Sequence, residues 1–511
     1  MFYYNHNRLK TNEYNSELKS IAKNAGFSAL GILFMNAMAF VNNAVITRVL
    51  GADSYGLFVL ATNIFTFIAI IPQFGFNNTI VRYVSFYAGK GDEAKVKGVI
   101  VFGFKLLLIL SLIVMVVSFF ISPLISGNIF ERPELTPLLK IILLSLPFAV
   151  IAGVFYSALN GLKMIKTQVI GANILNPLIF FLLIVIVFYA GYRLTGLIWV
   201  MAAMAVISAI LSFYFLNKGY FKHKKNLRPE VDKKELLDFA LPVYFNQFLN
   251  SAIKFAPIFI MGYFLTNKDI GVFNVGFRVA MLVSVSLGAF RLIFSPTISA
   301  LFAKNNIQLI NQLYKTITKW IFTIALITFC IIILFAEPIL NIFGNEFTTG
   351  VSVLLLLVFG ELINAAVGLV GNILIMSGRP KVALFNAGIN FLMIIVLCYF
   401  LIPEYGIIGA AFSYAITISF INIIRLVELY YFEKMQPFKL SYLKPLVAAI
   451  LVFVIIDYSK NLVDLNQYVE MIIGTLIFIS LFILILWAFK FDNEDKYVFG
   501  LITGKLKRKE Q

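Results

Sequence analysis

The chain has 511 residues, 60% of them hydrophobic and only 13% charged, with a formal net charge of +17 and a mean hydropathy of +0.91. That composition excludes a water-soluble globular protein and points to a polytopic membrane protein. The basic excess would suggest nucleic acid as a partner of a soluble chain; here it sits in short connecting segments, as membrane insertion requires, so no nucleic-acid role is expected.

Residues 1–25 are polar and basic, with Arg8, Lys10, Lys19 and Lys23, and read as a cytoplasmic lead-in. They lack the short apolar core and small-residue cleavage site of a removable signal peptide. Apolar spans of about one bilayer each follow at 26–48, 56–78, 98–121, 137–159, 168–190 and 194–216, making an N-terminal lobe over 26–216. The polar stretch at 217–238 is the one long basic segment between spans and reads as a cytoplasmic linker. Six further spans, at 239–265, 271–296, 319–343, 350–376, 383–402 and 406–432, make a C-terminal lobe over 239–432. Two extra helices within 442–489 and a basic cytoplasmic tail at 490–511 complete the chain. The expected fold is all-α, with about 14 transmembrane helices: two pseudo-repeated six-helix lobes plus two C-terminal helices.

Loop charge sets the orientation. Lys90, Lys95, Lys97, Lys163, Lys166, the linker, Lys304, Lys315, Arg379, Lys381, Lys434 and Lys439 fall on the side of both termini. The opposite loops carry Asp53, Glu131, Glu134, Glu337, Glu346, Glu404, Asp457 and Asp464, so both ends are expected in the cytoplasm. The halves also align: ITRVLGADSYGLF at 46–58 matches MGYFLTNKDIGVF at 261–273 without gaps, pairing Leu50 with Leu265, Gly56 with Gly271 and Phe58 with Phe273. Gly161 and Asn173 match Gly378 and Asn390 at nearly the same offset, the pattern of parallel repeats about an axis along the membrane normal.

The seventh span carries the chemistry. Gln247, Asn250, Ser251 and Lys254 recur at i, i+3, i+4 and i+7, one narrow polar stripe on an otherwise apolar helix. Lys254 lies roughly 16 Å from the span's end, too deep to snorkel to the interface. Pro257 is expected to let the helix bend beside the charge and to act as a hinge. Asn36 and Asn43 give the first span an uncharged polar face, while Arg278 and Arg291 add bases to the eighth. Glu361, at the same depth as Lys254, is a candidate ion-pair partner or coupling carboxylate. Two roles compete for Lys254: neutralising Glu361 in a packed bundle, or lining a hydrated cavity that receives an anionic headgroup. The excess of bases over the single acid favours the cavity. Arg425 and Glu428, three residues apart, are expected to pair locally.

Cys330 and Cys398 sit in apolar runs and read as small hydrophobes, and the chain has two histidines and no metal-binding or nucleotide-binding motif, so neither metal nor cofactor is expected.

The segments ITRVLGADSYGLF, FGFNNTIVRYVSFYAGKGD, GLKMIKTQVIGANI and YGIIGAAFSYAIT resemble the polysaccharide-transporter branch of the multidrug/oligosaccharidyl-lipid/polysaccharide exporter superfamily, over residues 20–490. The resemblance implies a non-enzymatic, V-shaped flippase of the cell membrane with two six-helix lobes around a cationic cavity. It would move a polyprenyl-(di)phosphate-linked oligosaccharide to the outer leaflet by alternating access, for surface polysaccharide synthesis. Its surroundings would be membrane lipid and glycosyltransferases and a polymerase of the same pathway. In this reading Lys254, Arg278 and Arg291 contact phosphate or acidic sugars, and Asn36, Asn43, Gln247 and Asn250 contact hydroxyls. The alternatives are a flippase for the lipid-linked peptidoglycan precursor, which shares the two extra helices, and a cation-coupled multidrug exporter. Drug exporters usually carry a carboxylate in the first helix, and here 26–48 has none.

Overall fold

The computed structural model of the protein describes residues 2–224, 226–303, 306–460 and 465–489. The tail at 490–511 lies outside the described residues, as do the side chains of residues 2–26, which include the lead-in, and that of Asn250. Every regular element among the described residues is a helix. Lipid offers backbone amides no partner, so a spanning segment satisfies them internally. Ten helices are long and apolar enough to cross a membrane, or eleven if Leu135–Leu143 and Leu146–Gly161, bent by 44° against one another, form one broken span. Two of the ten, Leu30–Gln73 and Lys381–Glu433, have 44 and 53 residues, room for two crossings each at about 20 residues per crossing. Large apolar side chains are widely exposed, Phe120 by 74%, a surface that hydrocarbon solvates and water does not.

The chain divides into two compact units, Met1–Tyr263 and Phe264–Gln511. The first holds α1 (Phe2–Gln73), α2 (Phe76–Gly89), α3 (Glu93–Leu124), α4 (Leu135–Leu143), α5 (Leu146–Gly161), α6 (Ile165–Val169), α7 (Asn176–Tyr189), α8 (Leu194–Gly219) and α9 (Lys233–Phe264). Within α1 the helix breaks at Gly51, whose φ of 73° and ψ of 173° strain any residue with a Cβ. This break separates the first expected span from the second. Its aligned counterpart in the second half is Thr266, which makes the same interruption by different chemistry. The Thr266 hydroxyl and the Asp269 carboxylate cap each other's backbone amides and start a new helix.

The sequence reading opens the C-terminal lobe at 239, whereas the unit boundary falls after Tyr263, because α9 packs on α1 and α2. Phe248, Phe255 and Phe259 surround the Phe67 ring, with centroids 5.5–6.1 Å away. Phe74 stacks on Tyr244 at 5.3 Å, and Tyr83 meets Phe239 edge-on at 5.8 Å. At the far end the buried Arg132 guanidinium donates to the carbonyl of Gly262. Burial pushes the Arg132 guanidinium below its usual range, opposed by Glu134 and Asp53. The aromatic contacts of residues 239–259 are with α1, α2 and the turn between them.

The linker is strapped to the same unit. Tyr220 donates from its hydroxyl to the Glu93 carbonyl at 3.1 Å, and Lys224 pairs with the Glu93 carboxylate at 3.4 Å. The Lys97 ammonium donates to the carbonyls of Lys224 and Leu227 at 3.1 and 2.9 Å, and the Glu230 amide donates to the Ala94 carbonyl at 3.1 Å. Burial, and then Glu93, raise the Tyr220 phenol above its ordinary range. Tyr87 closes the strap from α2, donating to the Glu235 carboxylate at 2.8 Å.

The second unit holds α10 (Asn267–Ala280), α11 (Val285–Ala303), α12 (Ile307–Leu334), α13 (Ala336–Asn341), α14 (Val351–Val367), α15 (Val370–Met376), α16 (Pro380–Glu433), α17 (Leu443–Lys460) and α18 (Gln467–Ala488). Gly406 breaks α16 as Gly51 breaks α1, with φ of 57°. The two extra helices, α17 and α18, clamp onto α12 through Leu326, Cys330, Leu334, Phe335, Ala448, Ala449, Val452, Ile456, Phe478 and Phe482. Ala448 and Ala449 let the backbones approach closely, as small residues do in membranes. Lys460 donates to the carbonyl of Leu334 at the end of α12 and lies 4.5 Å from the Phe335 ring, a cation where the helix dipole is negative.

The strap generates a prediction. A Cβ on Gly98 would stand 1.7 Å from the Glu230 carbonyl oxygen, a backbone atom that cannot rotate away. Gly98→Ala should displace residues 224–232, lowering stability by about 1–3 kcal/mol and speeding proteolysis there. Limited digestion of the purified protein showing unchanged linker cleavage would contradict the strap.

Candidate functional site

In the first unit, the polar stripe of α9 lies about 100°, one residue, around the helix from the phenylalanines packed on Phe67. Packing therefore leaves it uncovered: Lys254 is exposed, and Gln247 and Ser251 are half-buried. No described residue hydrogen-bonds or ion-pairs with Lys254 in the structure. The helix runs unbroken from Lys233 to Phe264 through Pro242 and Pro257, with Pro257 buried. Asn36 is exposed on α1, but Asn43 is engaged internally. Its amide donates to the Ala39 carbonyl at 2.6 Å, and its oxygen accepts from the buried Tyr55 hydroxyl at 3.0 Å. That bond bridges the Gly51 break, a structural task the sequence reading did not foresee.

In the second unit, Glu361 is 1% exposed and lies at the centre of a polar network. Tyr414 donates to one carboxylate oxygen and Asn364 to the other, at 3.2 Å for the amide. The Asn364 oxygen accepts from Asn422 at 3.0 Å. The ion pair expected of Glu361 is replaced, among the described residues of its own unit, by a phenol and an amide. These donors offset the cost of burying a carboxylate. Sequence spacing did hold a signal for them: Asn364 follows Glu361 by three residues, and Tyr414 and Asn422 are eight apart, on one face of a helix. Arg278 is exposed, its Nε 2.8 Å from the Oδ1 of the buried Asn274, and neighbouring Phe277 meets the Tyr414 ring edge-on at 5.1 Å.

Arg291 is exposed on α11, and its like charge acts on the half-buried Arg425 of α16. The local pairing expected between Arg425 and Glu428 is kept as an electrostatic interaction, and the Glu428 carboxylate also accepts from the Asn386 amide at 2.6 Å. Asn386 lies 42 residues before Glu428 in the chain, so only the fold of α16 back on itself supplies this partner. Among the described residues no group of three or more His, Cys, Asp or Glu is placed to hold a metal ion, and both cysteines are buried thiols.

The family model for polysaccharide biosynthesis proteins matches residues 21–302, and the MatE model matches 242–400. The chain is 25% identical over 310 residues to the capsular polysaccharide biosynthesis protein CapF of Staphylococcus aureus, covering 59% of this chain and 75% of that one. It is 24% identical over 219 residues to the probable low-salt glycan biosynthesis flippase Agl15 of Haloferax volcanii, covering 42% of this chain and 46% of the relative. The fold is similar to that of the lipid II flippase MurJ in an inward closed conformation, with a TM-score of 0.70 at 17% identity, over 90% of this chain and 98% of that one. These matches agree with the expectation of a multi-pass transporter that catalyses no covalent step. With more than half of its length matched by the first of those models, the chain belongs to the polysaccharide biosynthesis protein family, within the superfamily that also contains the multidrug exporters.

Proposed function

We propose that this protein is a flippase for a polyprenyl-(di)phosphate-linked oligosaccharide, moving it from the cytoplasmic to the outer leaflet of the cell membrane for surface polysaccharide synthesis. It works by alternating access through a cationic cavity, with about 14 crossings and both termini in the cytoplasm. The observation that carries this reading is Lys254, a base well inside α9, the helix read from sequence as the seventh span, exposed and without a bonded partner among the described residues. An ammonium at that depth is too costly to leave against hydrocarbon, so it calls for water or an anion. A phosphate-bearing headgroup supplies the anion. The names of CapF, as a capsular polysaccharide protein, and of Agl15, as a glycan flippase, support the glycan class.

Gln247, Ser251 and Asn36 are suited to sugar hydroxyls, and Arg278 and Arg291 to acidic groups. Glu361 is assigned the coupling role as a buried carboxylate held by Tyr414 and Asn364. The lipid-linked peptidoglycan precursor is the second reading, favoured by the 98% coverage of the MurJ chain. The absence of any Asp or Glu within 26–48 argues against a cation-coupled drug exporter.

Two experiments test this. Lys254→Ala should reduce surface glycan about tenfold or more at unchanged protein abundance, while Lys254→Arg retains export; normal export in the alanine variant would remove the cavity assignment. In proteoliposomes, Glu361→Gln should abolish the response of lipid translocation to an imposed proton or sodium gradient. A variant that still responds would exclude Glu361 as the coupling group.

A further inference from the structure

We infer that Arg291 and Arg425 form a phosphate-binding site inside the second unit, with Arg425 as a ligand-contacting residue. Arg425 lies on α16, eight residues before the helix ends at Glu433, roughly 12 Å along the axis. Its guanidinium lies across Gly371 of α15, with its Cδ, Nε and Cζ 3.7–3.8 Å from where a Cβ on that residue would be. A Cβ there would meet the fork at ordinary van der Waals contact.

Three observations make this a site and set it apart from a buried structural arginine. No described residue accepts a hydrogen bond from the Arg425 guanidinium, although a guanidinium carries five donors. The nearest carboxylate, on Glu428, attracts Arg425 without a hydrogen bond to it and accepts from the Asn386 amide through one oxygen. The other charged neighbour is Arg291, of the same sign. Two bases against one acid leave the cluster with a net positive charge, which an anion would balance. The helices bearing the two bases both pack on α15 at this level: the Asn372 amide of α15 donates to the Ser295 hydroxyl of α11 at 2.8 Å, that hydroxyl donates to the Arg291 carbonyl at 2.8 Å, and the neighbouring Gly371 lies against Arg425 of α16.

Paired guanidinium groups present several N–H donors in planar forks, a match for the oxygens of a phosphate or diphosphate and a poor match for a single carbonyl or a halide. The same stripe of α16 bears Tyr414, Asn422 and Arg425 at i, i+8 and i+11, all within about 80° on an ideal helix. The phosphate site therefore lies on the same face as the Glu361 network, two turns or so toward the cytoplasmic end. The ligand chemistry is a phosphate oxyanion, whose source is either a bulk phospholipid headgroup or the diphosphate of a polyprenyl lipid. Assignment to the polyprenyl lipid rests on the transport reading above, whereas the site itself does not.

The test uses the full chain in detergent micelles, with inorganic pyrophosphate, phosphatidylglycerol and undecaprenyl diphosphate as probes and Kd as the readout. Arg425→Gln should weaken pyrophosphate binding about tenfold or more, Arg425→Lys should weaken it less because a point charge replaces the fork, and Arg291→Gln should match the Arg425→Gln loss. Because Arg425→Lys keeps the charge, its elution and melting profile checks that folding is intact. Undecaprenyl diphosphate that competes with pyrophosphate far better than phosphatidylglycerol does supports the transported lipid as the source. Equal competition supports the site and gives it to the bilayer's own phosphate. Unchanged pyrophosphate affinity in both glutamine variants overturns the site. Normal export in Lys254→Ala with Arg425-dependent pyrophosphate binding preserved would defeat the transport reading and leave this site standing.

Discussion

Ionised and polar groups inside hydrocarbon need a partner, water or a ligand, and that requirement organises this protein. Glu361 meets it with a phenol and an amide, and Asn43 meets it with a backbone carbonyl and the Tyr55 hydroxyl. Arg132 meets it at a helix end by donating to the Gly262 carbonyl. Lys254 and Arg425 donate no hydrogen bond to any described residue, which leaves their donors open to water or a ligand. The functional reading follows from this contrast between satisfied and unsatisfied charge.

The same economy of polar groups shapes the framework. Helix breaks that recur at aligned positions are made once by a glycine in the left-handed region and once by a threonine cap. The backbone change is equivalent in both cases, but the amides freed at the second break are bonded by side chains. At the linker, Lys97 serves exposed carbonyls, so a segment with the composition of a free tether is bound to α3. With the strap at one end and Arg132 at the other, α9 is held to the first unit at both ends, and its polar stripe has a fixed orientation on that unit.

Several features were legible in the residues. Hydropathy over 511 positions marked the helices and their rhythm, because a bilayer imposes a length on every crossing. The polar stripe on α9 was readable from 3.6-residue periodicity, and the structure leaves Lys254 exposed on it. The i, i+3 spacing made Glu428 available to Arg425 as a local charge partner but could not reveal the second partner of Glu428, Asn386, 42 residues away. Glu361 was noticed as a charge, while the Tyr414, Asn364 and Asn422 that hold it were not.

The sequence by itself determined that this chain is a multi-helix membrane protein of the polysaccharide-export type, and it marked which helices carry charge. Those properties depend on composition and on local period, which the linear order of residues contains. Only the tertiary structure decided which helix belongs to which unit, which polar groups are already spoken for and which are left with unmet donors. Such facts depend on contacts between residues far apart in the chain, and aromatic rings, amides and guanidinium groups find those partners only once the helices have packed.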